Sequence, residues 1–143
     1  VTAVLPDLDV LVREALTAAL PDASVWSLWP EDWAARLPLV VAHRIPGGGA
    51  PDPRFLDGAL VDVQTCAADR DAASLLARRA RAALWDACEA QFASAAAGGY
   101  LSRFASEFGG PTELRTGDDA VLAADAFRFQ ATYSIQARPA RDS

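Results

Sequence analysis

Catalysis needs a nucleophile, a tuned acid–base pair, a metal-ligand cluster or a phosphate cradle, and this sequence offers few residues for any of them. His43 is the single histidine. It falls beside Arg44 in an alternating segment with no activating partner in view. A general base needs such a partner, and most histidine metal sites need several histidines. His43 therefore reads as a packed or interface side chain. Cys66 and Cys88 are the two cysteines. They lack ligand spacing and are too few for a disulfide framework, so buried free thiols are expected. Gly47-Gly48-Gly49 follows an extended segment, but neither a lysine nor a helix start comes after it. That pattern suits a flexible hairpin tip better than a phosphate loop. Asp62 sits inside a strand pattern, where an acid is unusual, and an arginine such as Arg44 across the hairpin is its expected partner. Glu31-Asp32 and Asp118-Asp119 fall in loops and read as solvated. No catalytic residue, cofactor or metal ion is expected.

Aromatic residues stand out against that background. Trp26, Trp29 and Trp33 cluster in a short, proline-punctuated segment. Such residues either close a core or anchor an interface. Three are too many for one small core, which leaves a subunit contact open for at least one of them.

The elements that position these residues follow from periodicity. Residues 7–20 form an amphipathic pattern through Leu8, Leu11, Val12, Ala15, Leu16, Ala19 and Leu20, with Asp7 as N-cap and Pro21 as stop. Ser24 to Trp29 reads as an edge strand or an extended connection. Leu37 to Ile45 alternates as a strand, Pro46 to Pro53 cannot be regular structure, and Gly58 to Cys66 alternates again. Together they predict a hairpin with a long, mobile tip. Asp69 caps a long helix reaching about Phe92, with a predicted buried stripe of Ala72, Leu75, Leu76, Ala80, Ala83, Leu84, Ala87 and Cys88. Gly98-Gly99 is expected to end that element. A strand over Tyr100 to Phe108 follows, then turns at Gly109-Gly110-Pro111 and Gly117-Asp118-Asp119. Phe127 to Arg138 alternates strictly between apolar and polar residues, and Pro139 to Ser143 reads as a frayed tail. The order predicts an α+β fold, a mostly antiparallel mixed sheet with two helices packed on one face. The polar half of the last strand predicts a second sheet face that is wet or covered by a neighbour.

Composition bounds the class. A chain of 143 residues with 52% hydrophobic and 22% charged residues suits one globular domain spanning 1–143. All 13 basic residues are arginines, which together with the alanine runs points to a GC-rich genome. The net charge of −6 is spread along the chain and argues against a surface that grips a phosphate backbone. No leader pattern opens the sequence, and no apolar run approaches the ~18 residues of a membrane span. A protein of the cytoplasm, or one assembled there, is expected.

The order of elements resembles the tail terminator, or tail completion, proteins of long-tailed phages. The resemblance rests on "DLDVLVREALTAAL", "LPLVVAHRIPGGGAPDP", "GALVDVQTCAADR", "DAASLLARRARAALWDA" and "FRFQATYSIQARP", and it covers nearly the whole chain. Residues 93–124 match least well, and "VWSLWPEDW" carries more tryptophan than the pattern leads one to expect. The resemblance implies a virion protein, commonly a hexameric ring, that caps the growing tail tube. It implies as partners the tail tube protein and the head–tail connector, with DNA passing through without specific binding. Contacts are expected at the loop of Gly47, Gly48, Gly49 and Arg54, and at the turn of Arg115, Asp118 and Asp119. Arg44 and Arg128 are expected in inter-subunit ion pairs, and each of these residues also has a plain reading as ordinary surface. Alternatives are another neck or head-completion protein, a host-directed interaction protein, and a small cytosolic binding domain or enzyme.

Overall fold

A computed structural model describes residues 2–50, 52–114 and 126–141. The elements in order are α1 (Leu8–Ala19), β1 (Ser24–Trp26), a 3-10 turn (Trp33–Arg36), β2 (Leu39–Ile45), β3 (Asp57–Ala67), α2 (Arg70–Glu89), β4 (Ala93–Ser94), β5 (Gly99–Glu113) and β6 (Phe127–Pro139). The strands form one sheet in the order β1-β2-β3-β6-β5-β4. β1 lies parallel to β2, and the other pairs are antiparallel. Both helices share one core with one face of this sheet, which is the predicted α+β arrangement.

α1 begins where the sequence predicts, with the Asp7 carboxylate accepting the Val10 N–H at 3.3 Å. It buries Leu8, Leu11, Val12, Ala15 and Leu16. On β3, Ala59, Val61, Val63 and Thr65 face the helices. On β6, Phe129, Ala131, Tyr133, Ile135 and Ala137 do the same. The alternation expected for β6 holds along its length.

Three expectations for the second half are corrected. The buried stripe of α2 is Ala73, Leu76, Ala77, Ala80, Leu84 and Cys88, while Ala72 and Leu75 face outward. Alanine occupies so many positions that periodicity alone leaves the phase open. The phase is set by tertiary contact: small residues at 73, 77 and 80 let α2 approach the sheet, and the buried Thr65 hydroxyl donates to the Ala73 carbonyl at 3.2 Å. The helix also stops at Glu89, not near Phe92 or at Gly98-Gly99. Gln91 takes φ 54°, the Gln91 N–H reaches the Cys88 carbonyl, and the Phe92 N–H reaches the Ala87 carbonyl. This left-handed cap stops a helix and is usually built on glycine, so its glutamine version left no sequence signal.

Third, β5 runs straight through Gly109-Gly110-Pro111, where a turn is predicted. Its pairing with β6 slips at four places, between Leu101 and Arg103, Phe104 and Ser106, Glu107 and Gly109, and Gly109 and Thr112. Each slip inserts one extra residue on β5, a β-bulge. Leu101, Phe104 and Glu107 therefore pair in turn with Ala137, Ile135 and Tyr133, so residues of one sheet face recur every third position instead of every second. Beyond Tyr100 the outer edge of β5 has no partner strand among the described residues, and Pro111 falls within a bulge of that edge strand, a position where proline is tolerated.

The tryptophan segment is also corrected. Trp26, Trp29 and Trp33 all pack around Leu39, Val41 and Cys66. These residues lie on the sheet face turned away from the helices, since Val40 and Ala42 face the helices instead. A sheet has two faces, and three aromatics fit because they close a separate small core on the second one.

Burial pushes the Cys88 thiol from 9.0 up to about 12, with Glu89 adding to it. Burial likewise pushes the Tyr133 hydroxyl from 10.0 up to about 12, with Glu107 adding and Arg81 opposing. The unfolded chain releases both protons first, so their contribution to stability is complete below pH 9 and is lost as pH rises towards 12. The urea midpoint should fall over that window. Cys88→Ala combined with Tyr133→Phe should flatten the slope, and a wild-type midpoint indifferent to pH between 9 and 12 would contradict the assignment.

Candidate functional site

Among the described residues no group of three or more His, Cys, Asp or Glu side chains is placed to hold a metal ion. No described helix is long and apolar enough to cross a membrane. The surfaces that remain are a hairpin loop, a polar sheet face and a groove.

The β2–β3 hairpin forms as predicted, with Leu39 opposite Cys66 and Ile45 opposite Leu60. Arg44 does not pair with Asp62. In this register Arg44 stands opposite Val61, whereas Asp62 stands opposite His43, so the two side chains leave opposite faces of the sheet. Arg44 instead holds Asp57 through both guanidinium nitrogens, at 2.7 and 2.9 Å. Its backbone N–H donates to the Asp9 carboxylate at 2.7 Å, which ties the start of α1 to the end of β2. The Arg44 guanidinium thus braces the base of its own loop.

Within that loop Gly47, Gly48 and Gly49 all have positive φ. The Gly49 carbonyl lies where a Cβ on Gly58 would sit, at 2.5 Å, so the loop runs hard against the start of β3. Further on, the Asp52 carboxylate accepts from the Arg54 backbone N–H at 3.2 Å and from Arg54 Nε at 3.0 Å. The Phe55 N–H donates to the Asp52 carbonyl, and the Arg54 guanidinium lies 5.1 Å from the Phe55 ring centre. The loop end is a hydrogen-bonded turn that presents an aromatic ring and a cation.

Outside the tryptophan corner the sheet face away from the helices is polar along its middle, and it turns apolar again at the loop end, where Ile45 stands opposite Leu60. Asp62 is buried and accepts amide hydrogens from Gln64, at 3.1 Å, and from Gln130. Gln130 also donates to Thr132. His43 Nδ1 and Gln64 Oε1 are buried there without a hydrogen-bond partner among the described residues. Arg128 lies at the tryptophan end, its guanidinium 5.7 Å from the Trp29 ring and opposite Cys66. Asp57 and Cys66 are nine steps apart on β3, so Arg128 stands about 30 Å from the hairpin loop along the strand direction. The structure brings Arg44, Gly47, Gly48, Gly49 and Arg54 together at one end of the sheet and keeps Arg128 at the other. Arg115, Asp118 and Asp119 lie outside the described residues.

The third surface was not read from the sequence. α2 and β5 enclose a groove of about 530 Å³ lined by Ala82, Trp85, Asp86, Phe104, Ala105 and Glu107, with Arg81 and Ser106 beside them. Trp85 is half exposed and packs on Phe104, ring centres 5.4 Å apart; Phe104 in turn packs on Tyr133 at 5.1 Å. Arg81 holds Glu107 through two nitrogens, at 3.1 and 3.0 Å. Phe108, a bulged residue of β5 next in sequence to Glu107, is 68% exposed. The available signal was Trp85 itself, a large aromatic off the buried stripe of α2. Phe104 and Glu107 reach the same side only through the bulges.

A protein-family profile described as phage tail termination protein matches residues 4–143. No curated protein matches the chain.

Asp57→Ala should free Arg44 and loosen the loop without unfolding the sheet. The pair is partly exposed, so about 0.5–1 kcal/mol of stability should be lost. Hydrogen exchange should quicken across residues 46–56 while β3 and β6 stay protected. Unchanged exchange in the loop would remove Arg44 as its brace.

Proposed function

The chain belongs to the phage tail termination protein family, a family of structural tail proteins, and we propose that it forms the ring that ends the tail tube. Copies, six in the expected ring, dock on the last ring of tube protein, prevent addition of the next, and present a new surface to the head connector. The observation that carries this reading is the extent of the family match, residues 4–143 of a 143-residue chain, which takes in every described element.

The mechanism is steric. It requires complementary surfaces and no bond making or breaking, so no enzymatic activity is proposed. Sheet architecture supports assembly through loops and grooves. β1 is only three residues long and β5 carries four bulges, and short or bulged edges discourage strand addition. The loop from Gly47 to Arg54, the Arg115 to Asp119 turn and Arg128 are proposed as contacts with tube or neighbour. Arg44, which holds that loop through Asp57, is proposed together with Arg128 for inter-subunit ion pairs. A net charge of −6 favours a channel through which DNA slides without being gripped.

Electron microscopy of particles from a phage lacking this gene tests the role. Tails of uncontrolled, excessive length beside unjoined heads are expected. Tails of normal length beside detached heads would assign the protein to the neck and end the terminator reading.

A further inference from the structure

β5 is anchored in two different ways along its length. Its first half presents Leu101 and Phe104 to the helix side, opposite Ala137 and Ile135 of β6. Leu101 is fully buried, and Phe104 packs on Tyr133 with ring centres 5.1 Å apart. From Ala105 onward that anchoring ends. Opposite Tyr133 and Phe129, where the same row continues, β5 places Glu107 and Glu113. Ala131, between those two positions, faces the bulge that holds Gly110 and Pro111. No residue from 105 to 113 is buried, and the large apolar side chain of Phe108 is 68% exposed.

Two guanidiniums of α2 stand in for apolar contact. Arg81 holds Glu107 through two nitrogens, at 3.1 and 3.0 Å. Arg70 reaches Glu113 at 3.0 Å while its guanidinium lies 5.5 Å from the Phe129 ring centre. The spacing of the two pairs fits one register. Eleven helical steps from Arg70 to Arg81 and six strand steps from Glu107 to Glu113 both span roughly 17–20 Å. A shift of one residue would move both carboxylates about 3.3 Å and turn them to the opposite face. Register is weakly specified in glycine-rich strands that bury no face. This half of β5 also has no partner strand on its outer edge among the described residues. Ion pairs therefore do here what burial does elsewhere in the sheet.

We propose that residues 105–113 form an ionic strap, a half-strand that lifts from α2 and β6 as a unit while the β3–β6 ladder and the first half of β5 stay closed. Exposed ion pairs are individually weak and screened by salt. Segments with few buried apolar contacts open at free energies below that of the whole fold. Ionic strength is thus the signal that loosens the strap. Lifting takes Glu107 away from Arg81, so the β5 wall of the groove is complete only while the strap is fastened. The strap acts within one subunit and stands or falls independently of ring formation.

Hydrogen exchange of the full chain at about 0.02 M and about 0.5 M sodium chloride is the test, because the Debye length shrinks from roughly 20 to 4 Å over that range. Amides of residues 106–113 should exchange about threefold to tenfold faster at the higher salt, while those of residues 59–66 on β3 keep their rates. Arg70→Gln combined with Arg81→Gln should give the fast rate already at low salt and abolish the salt response. Arg79→Gln removes a charge from the same helix but breaks the pair with Asp22 instead, and it should behave as the wild type. Exchange in 106–113 as slow as in β3 at both salt concentrations would overturn the strap, since the segment would open only with the whole fold. Fast exchange indifferent to salt, or equal acceleration in Arg79→Gln, would refute the ion pairs as its fastening. The wild-type salt comparison needs no variant and decides the point without one.

Discussion

Everything else in this protein is arranged around the β3–β6 ladder. From Asp57 opposite Ala137 to Ala67 opposite Phe127 the pairing runs without a slip. Side chains on a strand alternate with period two, so an unbroken register commits every residue of both strands to one face or the other. Ala59, Val61 and Val63 join Ala131, Tyr133 and Ile135 under the helices. Asp62 and Gln64 join Gln130 and Thr132 on the opposite side. One shifted residue would bury the carboxylate beneath α2 and expose the core.

The two faces are finished by different means. On the helix face, alanines in α2 and β3 allow close approach, and Leu11, Leu16, Leu84 and Tyr133 fill the remaining space. On the far face, among the described residues, the tryptophans cover one corner, on Leu39, Val41 and Cys66, and Ile45 stands opposite Leu60 at the loop end. The rest is a hydrogen-bonded amide and hydroxyl surface. Its edges are irregular for the reason given by the bulges: a strand that gains one residue at each slip twists away from a partner. The same slips carry Phe104 and Glu107 to the α2 side and so build the groove.

Arginine does the lateral bracing. Arg79 reaches Asp22, Arg81 reaches Glu107, and Arg70 reaches Glu113, so α2 is linked both to the turn after α1 and to β5. Each pair is at least partly exposed and individually weak. The planar, two-pronged geometry of the Arg79 and Arg81 pairs fixes orientation more than it adds stability, which suits a chain whose every cation is a guanidinium.

The elements with strong local signals were legible from the residues alone. The Asp7 and Asp69 caps, the Pro21 stop, the Gly/Pro hairpin loop and the strict alternation of Phe127 to Arg138 depend on backbone chemistry and a single buried face, both of which are encoded locally. The family resemblance was readable in the same way, from the order of those segments. Tertiary structure decided what local chemistry leaves degenerate. An alanine-rich helix can turn any of several sides to a sheet, and only packing under Thr65 chose Ala73 over Ala72. A strand next to a ladder can absorb extra residues, and only pairing with β6 placed Phe104 and Glu107 on one side. Arg44 had two acids within reach along its hairpin. Strand register, which no single segment contains, gave it Asp57.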